Sequence, residues 1–219
     1  MLRVAAAIPA YNAAGTIGSV ISQVAAYVGP ENIFVVDDGS ADETTLIARR
    51  KGAWVLRHTR RRGKGSALHD AVKEIIEQDY EWIITLDSDL QHDPGEIPNF
   101  LSAAEHFDVV LGKRSISSSG MPFHRFLSNL ITSKLISLRT GIDVEDSQCG
   151  YRLFRAEVLR KIESPSRHYD YESDILLKAA LGGFSIGFVP IKTIYNDSKS
   201  SIRVIDVLRF MKVYLKSFA

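Results

Sequence analysis

Five short apolar runs, each breaking off into polar residues, constrain this chain more than any other feature. Val4–Ile8, Ile33–Val36, Ala53–Leu56, Trp82–Leu86 and Val109–Leu111 read as strands, with helix-like segments between them. Several runs are too continuously apolar to alternate between a wet and a dry face, which suits parallel strands buried on both sides. The intervening segments then serve as crossover helices, and an α/β sandwich of Rossmann-like character is expected. Ligands in such sheets gather at the carboxyl ends of the strands. Function is therefore sought at the strand exits.

The chain has 219 residues, 45% hydrophobic and 24% charged, an ordinary globular composition that suits one domain and can bury a sizeable core. A formal net charge of +1 gives no overall bias towards polyanions, so no nucleic-acid partner is expected. Basic residues cluster locally at Arg57–Lys64 and again after Lys192. Cys149 is the single cysteine, which rules out an internal disulfide and a multi-cysteine metal site and makes an intracellular compartment the simplest reading. As a nucleophile it is disfavoured against a small buried residue. No signal-peptide pattern opens the sequence, and no apolar run approaches the roughly 20 residues of a membrane span. Any work on a membrane is expected from its surface.

Three strand exits carry polar residues that would meet on one edge. In Pro9-Ala10-Tyr11-Asn12, Tyr11 could stack on a base while Asn12 bonds to it; a plain turn with Asn as helix cap fits equally. In Asp37-Asp38-Gly39-Ser40, a carboxylate at the tip of the second strand stands where nucleotide folds accept a ribose hydroxyl or base N–H. Two adjacent acids there would repel unless a ligand used them. Ser40 and Glu43 make a capping box for the next helix. The third exit is Ile83–Asp93, where Asp87 and Asp89 fall on one side of an extended backbone with Gln91 following. Hard cations such as Mg²⁺ or Mn²⁺ take oxygen ligands in such clusters, although an acidic turn is the bland alternative.

Arg62-Gly63-Lys64-Gly65-Ser66 opens a helix running to about Gln78, and its glycines would let backbone N–H groups approach a phosphate; a basic solvated turn fits equally. It matches neither the Walker loop nor the dinucleotide fingerprint, which disfavours an oxidoreductase. In the second half, Lys113 and Arg114 end the last strand of the sheet, and Phe123–Leu138 is an amphipathic helix suited to the core or to a membrane interface. Asp146–Arg152 and Tyr169–Asp174 are polar segments before apolar ones, and Phe184–Ile191 reads as a further strand. Ile202–Phe218 is amphipathic and basic, which suits a membrane surface, a partner or the core.

Together these pieces resemble the family 2 glycosyltransferases of the GT-A fold, and among them the dolichyl- and polyprenyl-phosphate sugar transferases such as the dolichyl-phosphate mannose synthases. The resemblance runs from Pro9 to about Phe210. It rests on Pro9-x-Tyr11-Asn12, Val36–Ser40, Gly63-Lys64-Gly65, Asp87–His92, Asp146–Gly150, Glu172–Leu176 and Val189-Pro190-Ile191. It implies a mixed, mostly parallel sheet flanked by helices in one domain over 1–219. Residues 1–114 would form a nucleotide-sugar half, 115–200 an acceptor half and 201–219 an amphipathic C-terminal helix.

By that resemblance Pro9, Tyr11, Asn12, Asp37, Asp38, Lys64, Asp87 and Ser88 bind the donor, with Asp37 or Asp38 on base or ribose. Asp87, Asp89 and Gln91 hold Mg²⁺ or Mn²⁺. Arg114, Arg125 and Ser128 receive the lipid phosphate, and Lys199 and Ser200 belong to a loop that closes over the site. The family usually has Glu where this chain has Ala13. The implied reaction moves a hexose, first of all mannose from GDP-mannose, onto dolichyl or polyprenyl phosphate with inversion, by a peripheral enzyme on the cytoplasmic face of the membrane. Asp89, Arg114, Arg125 and Asp146 carry the chemistry. A UDP-hexose donor is the alternative. A sugar-hydroxyl acceptor would instead require a base, with Asp146 first and Glu172 or Asp174 next. A non-catalytic nucleotide-sugar or lipid-binding module is the remaining reading, against which the acid cluster argues.

Overall fold

The computed structural model describes residues 2–114, 123–164, 170–192, 210–212, 214–215 and 217–218, the side chains of 123–125 excepted. In chain order the elements are β1 (Val4–Ala10), α1 (Ile17–Val28), β2 (Ile33–Asp37), α2 (Thr44–Arg50), β3 (Trp54–Arg57), α3 (Lys64–Ile76) and β4 (Trp82–Thr85). They continue as α4 (Ile97–Ala103), β5 (Val109–Arg114), α5 (Phe123–Thr140), β6 (Arg152–Arg155), α6 (Ala156–Lys161), α7 (Asp170–Leu181) and β7 (Ile186–Ile191). The seven strands make one sheet in the order β3-β2-β1-β4-β6-β5-β7.

Burial on both faces explains the apolar runs. All seven residues of β1 and all five of β2 are buried. Along β1 the side chains alternate between two cores. Ala6, Ile8 and Ala10 join Ile17, Ile21 and Val24 of α1 and Phe100 of α4. Ala5 and Ala7 join Leu68, Val72 and Ile75 of α3 and Ile175 and Leu176 of α7. Each large aliphatic residue taken fully from water contributes roughly 1.5–3 kcal/mol. The alanines of β1 let helices on both faces approach the sheet.

One strand departs from the sequence expectation. Arg152–Arg155 pairs antiparallel with β4 (Thr85 opposite Arg152) and with β5 (Leu111 opposite Arg152). Four residues with arginine at both ends give neither an apolar run nor a clean alternation, so periodicity could not reveal this element. Its effect on the site is direct. Parallel strands end at the ligand edge, whereas an antiparallel strand begins there, so β6 brings Asp146–Tyr151 beside the exit of β4. The Thr85 hydroxyl donates to the Gly150 carbonyl at 2.8 Å and fixes that approach.

The expected capping box does not form. Helix α2 begins only at Thr44, too late for Ser40 to cap it. Ser40 Oγ instead accepts the Asn12 N–H at 2.8 Å, and Asp42 accepts the Thr44 N–H at 3.1 Å. Of the two expectations for helix α5, packing of the Leu127, Leu130 and Ile131 stripe on the core is not met: Thr132, Ser133 and Ile136 are buried while Leu127, Leu130, Ile131 and Leu138 are exposed.

Candidate active site

One corner of the candidate site is built from the exits of β1 and β2. Pro9 is buried within β1, and Asn12, at φ 49°, ties the two turns together by accepting the Ala41 N–H at 2.9 Å. Tyr11 is exposed, and the Arg61 guanidinium lies 4.1 Å from its ring centroid. Gly39, at φ 78°, is required because a Cβ there would stand 2.8 Å from the carbonyl carbon of Arg60.

The adjacent acids are satisfied by the chain itself. Asp37 accepts the Ser40 N–H at 2.8 Å and the Thr45 hydroxyl, with Arg57 Nε 3.8 Å away. Asp38 accepts the Arg62 and Gly63 N–H groups, both at 2.7 Å, and faces His58 Nδ1 at 2.7 Å. The premise that only a ligand could reconcile the two acids is thus corrected: separate protein donors hold them apart. His58 Nε2 lies 3.0 Å from Asp70, so this imidazole bridges two carboxylates beneath the 58–63 loop. Burial raises the Asp70 carboxyl, but hydrogen bonding to His69 and the charge of Arg62 leave it below its ordinary value.

At the exit of β4 the acids surround an ammonium. Lys64 Nζ is 2.7 Å from Asp87 Oδ1 and 3.2 Å from Glu172 Oε1. Burial raises the Asp87 carboxyl, yet the Lys64 charge beside it leaves it lowered. Asp89 is raised, first by burial and then by the Asp87 charge. Leu90 turns the chain at φ 62°, a left-handed conformation that costs a non-glycine residue on the order of 1–3 kcal/mol. This strained turn sets Asp89 Oδ1 3.1 Å from the Gln91 N–H. Ser88 is half-buried between the two acids.

His92 was quoted in the motif but given no role. Its ring is buried, its pKa is lowered by that burial to about 4, and Nδ1 accepts the Asp87 N–H at 3.4 Å. It packs 5.2 Å from the Tyr151 ring, which stacks on Phe100 at 4.4 Å. Reading it as a support from sequence would have required knowing that β6 delivers Tyr151 to this place.

The donor set fits a hard divalent cation. Two carboxylates raise the cost of each other's ionisation, and only a cation relieves both. Among the described residues no three His, Cys, Asp or Glu side chains converge at metal-binding spacing. A cation would therefore draw on Asp87, Asp89 and the Gln91 amide, with phosphate or water oxygens completing its shell.

The cationic end of the candidate site centres on Arg114. Its Nε donates to Asp146 Oδ2 at 2.7 Å and Nη2 to Oδ1 at 2.9 Å. Asn129 Nδ2 and the Gln148 N–H also donate to Asp146, at 3.0 and 3.2 Å. Gln148 Nε2 reaches Ser128 Oγ at 3.0 Å. Burial raises the Asp146 carboxyl, but Arg114, by hydrogen bonds and charge, holds it below the usual range. Asp174 is occupied by Ser164 Oγ at 2.5 Å and Lys178 Nζ at 3.1 Å. Cys149 is buried and its thiol is pushed up to about 12, which leaves no thiolate for attack. The Arg125 side chain, Lys199 and Ser200 lie outside the described residues.

A Rossmann-like sheet carrying two acids at the exit of its central β4, with a cationic end beside them, is the arrangement that the resemblance to the GT-A sugar transferases implies. The model of the family described as "Glycosyl transferase family 2" matches residues 6–163, and the chain belongs to that family of glycosyltransferases. It is 29% identical over 207 residues to the undecaprenyl-phosphate mannosyltransferase of Micrococcus luteus, covering 90% of this chain and 85% of that protein. It is 29% identical over 233 residues to the UDP-N-acetylglucosamine–dolichyl-phosphate N-acetylglucosaminyltransferase of Methanococcus voltae, covering 95% and 92%. A crystal structure of glucosyl-3-phosphoglycerate synthase from Mycobacterium tuberculosis, in complex with Mn²⁺, UDP and phosphoglyceric acid, matches with a TM-score of 0.79 at 20% identity, over 98% of this chain and 78% of that one. That last likeness bears on the fold alone.

Proposed function

We propose that this glycosyltransferase moves mannose from GDP-mannose onto a dolichyl or polyprenyl phosphate, with inversion, at the cytoplasmic face of a membrane. The observation that carries this reading is the Arg114–Asp146 pair beside the Asp87–Asp89 carboxylates. A guanidinium already oriented in its plane suits bidentate recognition of a second anion. It is also near enough to the acids for its charge to help lower Asp87.

The acceptor phosphate oxygen attacks the anomeric carbon, the bond from that carbon to the donor diphosphate breaks, and the nucleoside diphosphate leaves. A phosphate has its second pKa at about 6 and is largely ionised at pH 7, so no general base is needed. An Asp146 already committed to Arg114 agrees with this and counts against a sugar-hydroxyl acceptor. Arg114, Arg125 and Ser128 hold the acceptor phosphate against its repulsion from the donor, and Lys199 and Ser200 close over it. Lys64 lies towards the donor phosphates, while Pro9, Tyr11, Asn12, Asp37 or Asp38, and Ser88 frame the nucleotide. Asp87, Asp89 and Gln91 would hold Mg²⁺ or Mn²⁺, which supplies Lewis-acid stabilisation of the departing diphosphate.

The Micrococcus luteus relative is named for undecaprenyl phosphate and mannose, which supports the acceptor class and the sugar. The Methanococcus voltae relative, named for a UDP-sugar, favours a UDP-hexose as the second reading of the donor. No helix among the described residues is long and apolar enough to cross a membrane. The exposed Leu127, Leu130, Ile131 and Leu138 of α5 support association with a lipid surface.

The test is turnover of radiolabelled GDP- and UDP-sugars with a short polyprenyl phosphate, in Mg²⁺ or Mn²⁺ and in EDTA. An EDTA-sensitive, lipid-extractable product from GDP-mannose is expected. Donor hydrolysis without any lipid product would transfer the assignment to a hydroxyl acceptor.

A further inference from the structure

Glu172 sits on α7, far in sequence from every strand exit, yet its carboxylate lies in the donor site. It is 8% exposed, and its Oε1 has no hydrogen-bond partner among the described residues. What it faces is the Lys64 ammonium, 3.2 Å away, while the same ammonium is 2.7 Å from Asp87.

Two other features maintain this arrangement. A Cβ on Gly150 would stand 2.9 Å from Lys64 Nζ, 3.0 Å from Asp87 Oδ2 and 3.1 Å from Glu172 Oε1, so only glycine leaves the space the three groups share. Arg152, 1% exposed, donates to the carbonyls of Glu172 at 2.5 Å, Ser147 at 2.7 Å and Cys149 at 2.7 Å. This buried guanidinium pins the start of α7 to the loop that carries Gly150. Burying an arginine on backbone carbonyls is expensive, and here it fixes the position of Glu172.

We propose that Glu172 is a positioning residue that shares the Lys64 ammonium with Asp87, loosening its hold on Asp87 and keeping that carboxylate available to the divalent cation of the donor complex. The proposal rests on the metal reading of Asp87 given above. The charges agree with it: two carboxylates, Asp87 and Glu172, face one ammonium, so the Lys64 charge is divided between them and neither is fully neutralised by it. Without Glu172 the ammonium loses the carboxylate that shares it with Asp87, and it competes more strongly with the metal for Asp87.

The experiment is a titration of the whole protein with Mn²⁺, free Mn²⁺ being read by its electron paramagnetic resonance signal, for wild type, Asp87→Asn, Glu172→Gln, Lys64→Met and the Lys64→Met/Glu172→Gln double variant. Glu172→Gln is expected to weaken Mn²⁺ binding about tenfold, the equivalent of roughly 1.4 kcal/mol. Lys64→Met is expected to tighten it, and adding Glu172→Gln in that background is expected to change it less than about twofold. Unchanged affinity in Glu172→Gln while Asp87→Asn abolishes binding would overturn this proposal alone. Equal weakening in both backgrounds would make Glu172 a metal ligand and overturn it as well. Unchanged Mn²⁺ binding in Asp87→Asn would remove the metal reading itself, and the proposal with it. A lower melting temperature in Glu172→Gln at unchanged affinity would mark a purely structural role.

Discussion

Arg114 and Asp146 meet edge to edge, with Nε 2.7 Å from Oδ2 and Nη2 2.9 Å from Oδ1, and both side chains are largely buried. Breaking such a pair from one side strands a buried charge, which costs about 3–5 kcal/mol. Asp146→Asn is therefore expected to lower stability by about 3 kcal/mol in urea unfolding. It should also reduce kcat/KM for the lipid phosphate by at least about 100-fold, because Arg114 loses its orientation. Donor KM should change little. A variant with full acceptor turnover would show that Arg114 needs no such support.

The same pair predicts an acid limb. The folded Asp146 carboxyl lies below its unfolded value near 3.9, so its contribution is fully present above that pH and is lost as pH falls through the lower folded value. Urea midpoints measured between about pH 5 and 3 should fall more steeply for wild type than for Asp146→Asn.

His92 predicts a separate window. Its folded pKa is about 4, below the unfolded value of 6.5, so the unfolded chain binds the proton first. The His92 contribution should make the metal-free protein less stable as pH falls from about 6.5 towards 4, by on the order of 3 kcal/mol, and this contribution should change no further below that. His92→Asn should flatten this window while leaving the more acidic limb. Unfolding midpoints across both ranges separate the two groups.

Gly150→Ala tests the crowding beside Lys64. The atoms met at 2.9–3.1 Å are side-chain ends that can move, so the fold should survive with a loss of about 1 kcal/mol or less. Those ends belong to the site, however, and donor kcat/KM should fall about tenfold or more. Steady-state kinetics beside a thermal melt distinguishes the two effects.

Removal of the divalent ion by EDTA should reduce turnover by about 10²–10³-fold, the scale of losing an electrostatic stabiliser of a leaving group. Asp87→Asn and Asp89→Asn should give similar losses, with no rescue by excess Mg²⁺ or Mn²⁺. Full activity in EDTA would remove the metal from the reaction.

What the sequence disclosed depended on how local each signal was. Asp87 and Asp89 end an apolar run two residues apart, so a single strand carries both the element and its acids. The buried strands β1, β2 and β5 were legible for the same reason. The roles of Asp37 and Asp38 were not, because the donors that hold them come from Ser40, Arg62 and Gly63 at turns no periodicity describes. The meeting of Lys64, Asp87 and Glu172 was hidden as well. It joins the start of α3, the end of β4 and the start of α7, and only the antiparallel β6 supplies the intervening Gly150.

That inserted strand also governs how the molecule can assemble. β4 and β5 are not neighbours; each pairs with β6, which follows β5 by about 40 residues and so is synthesised after it. Until Arg152–Arg155 arrives, β4 lacks a partner on one edge and β5 on both, and open strand edges are sites of mispairing. Closing them requires contacts between distant parts of the sequence, which are slow to form. The segment that closes the gap is also the one that seats Gly150 against Asp87 and Asp146 beside Arg114. The chain therefore acquires its donor–acceptor junction in the same event that completes its sheet, and a nascent fragment ending before β6 has neither.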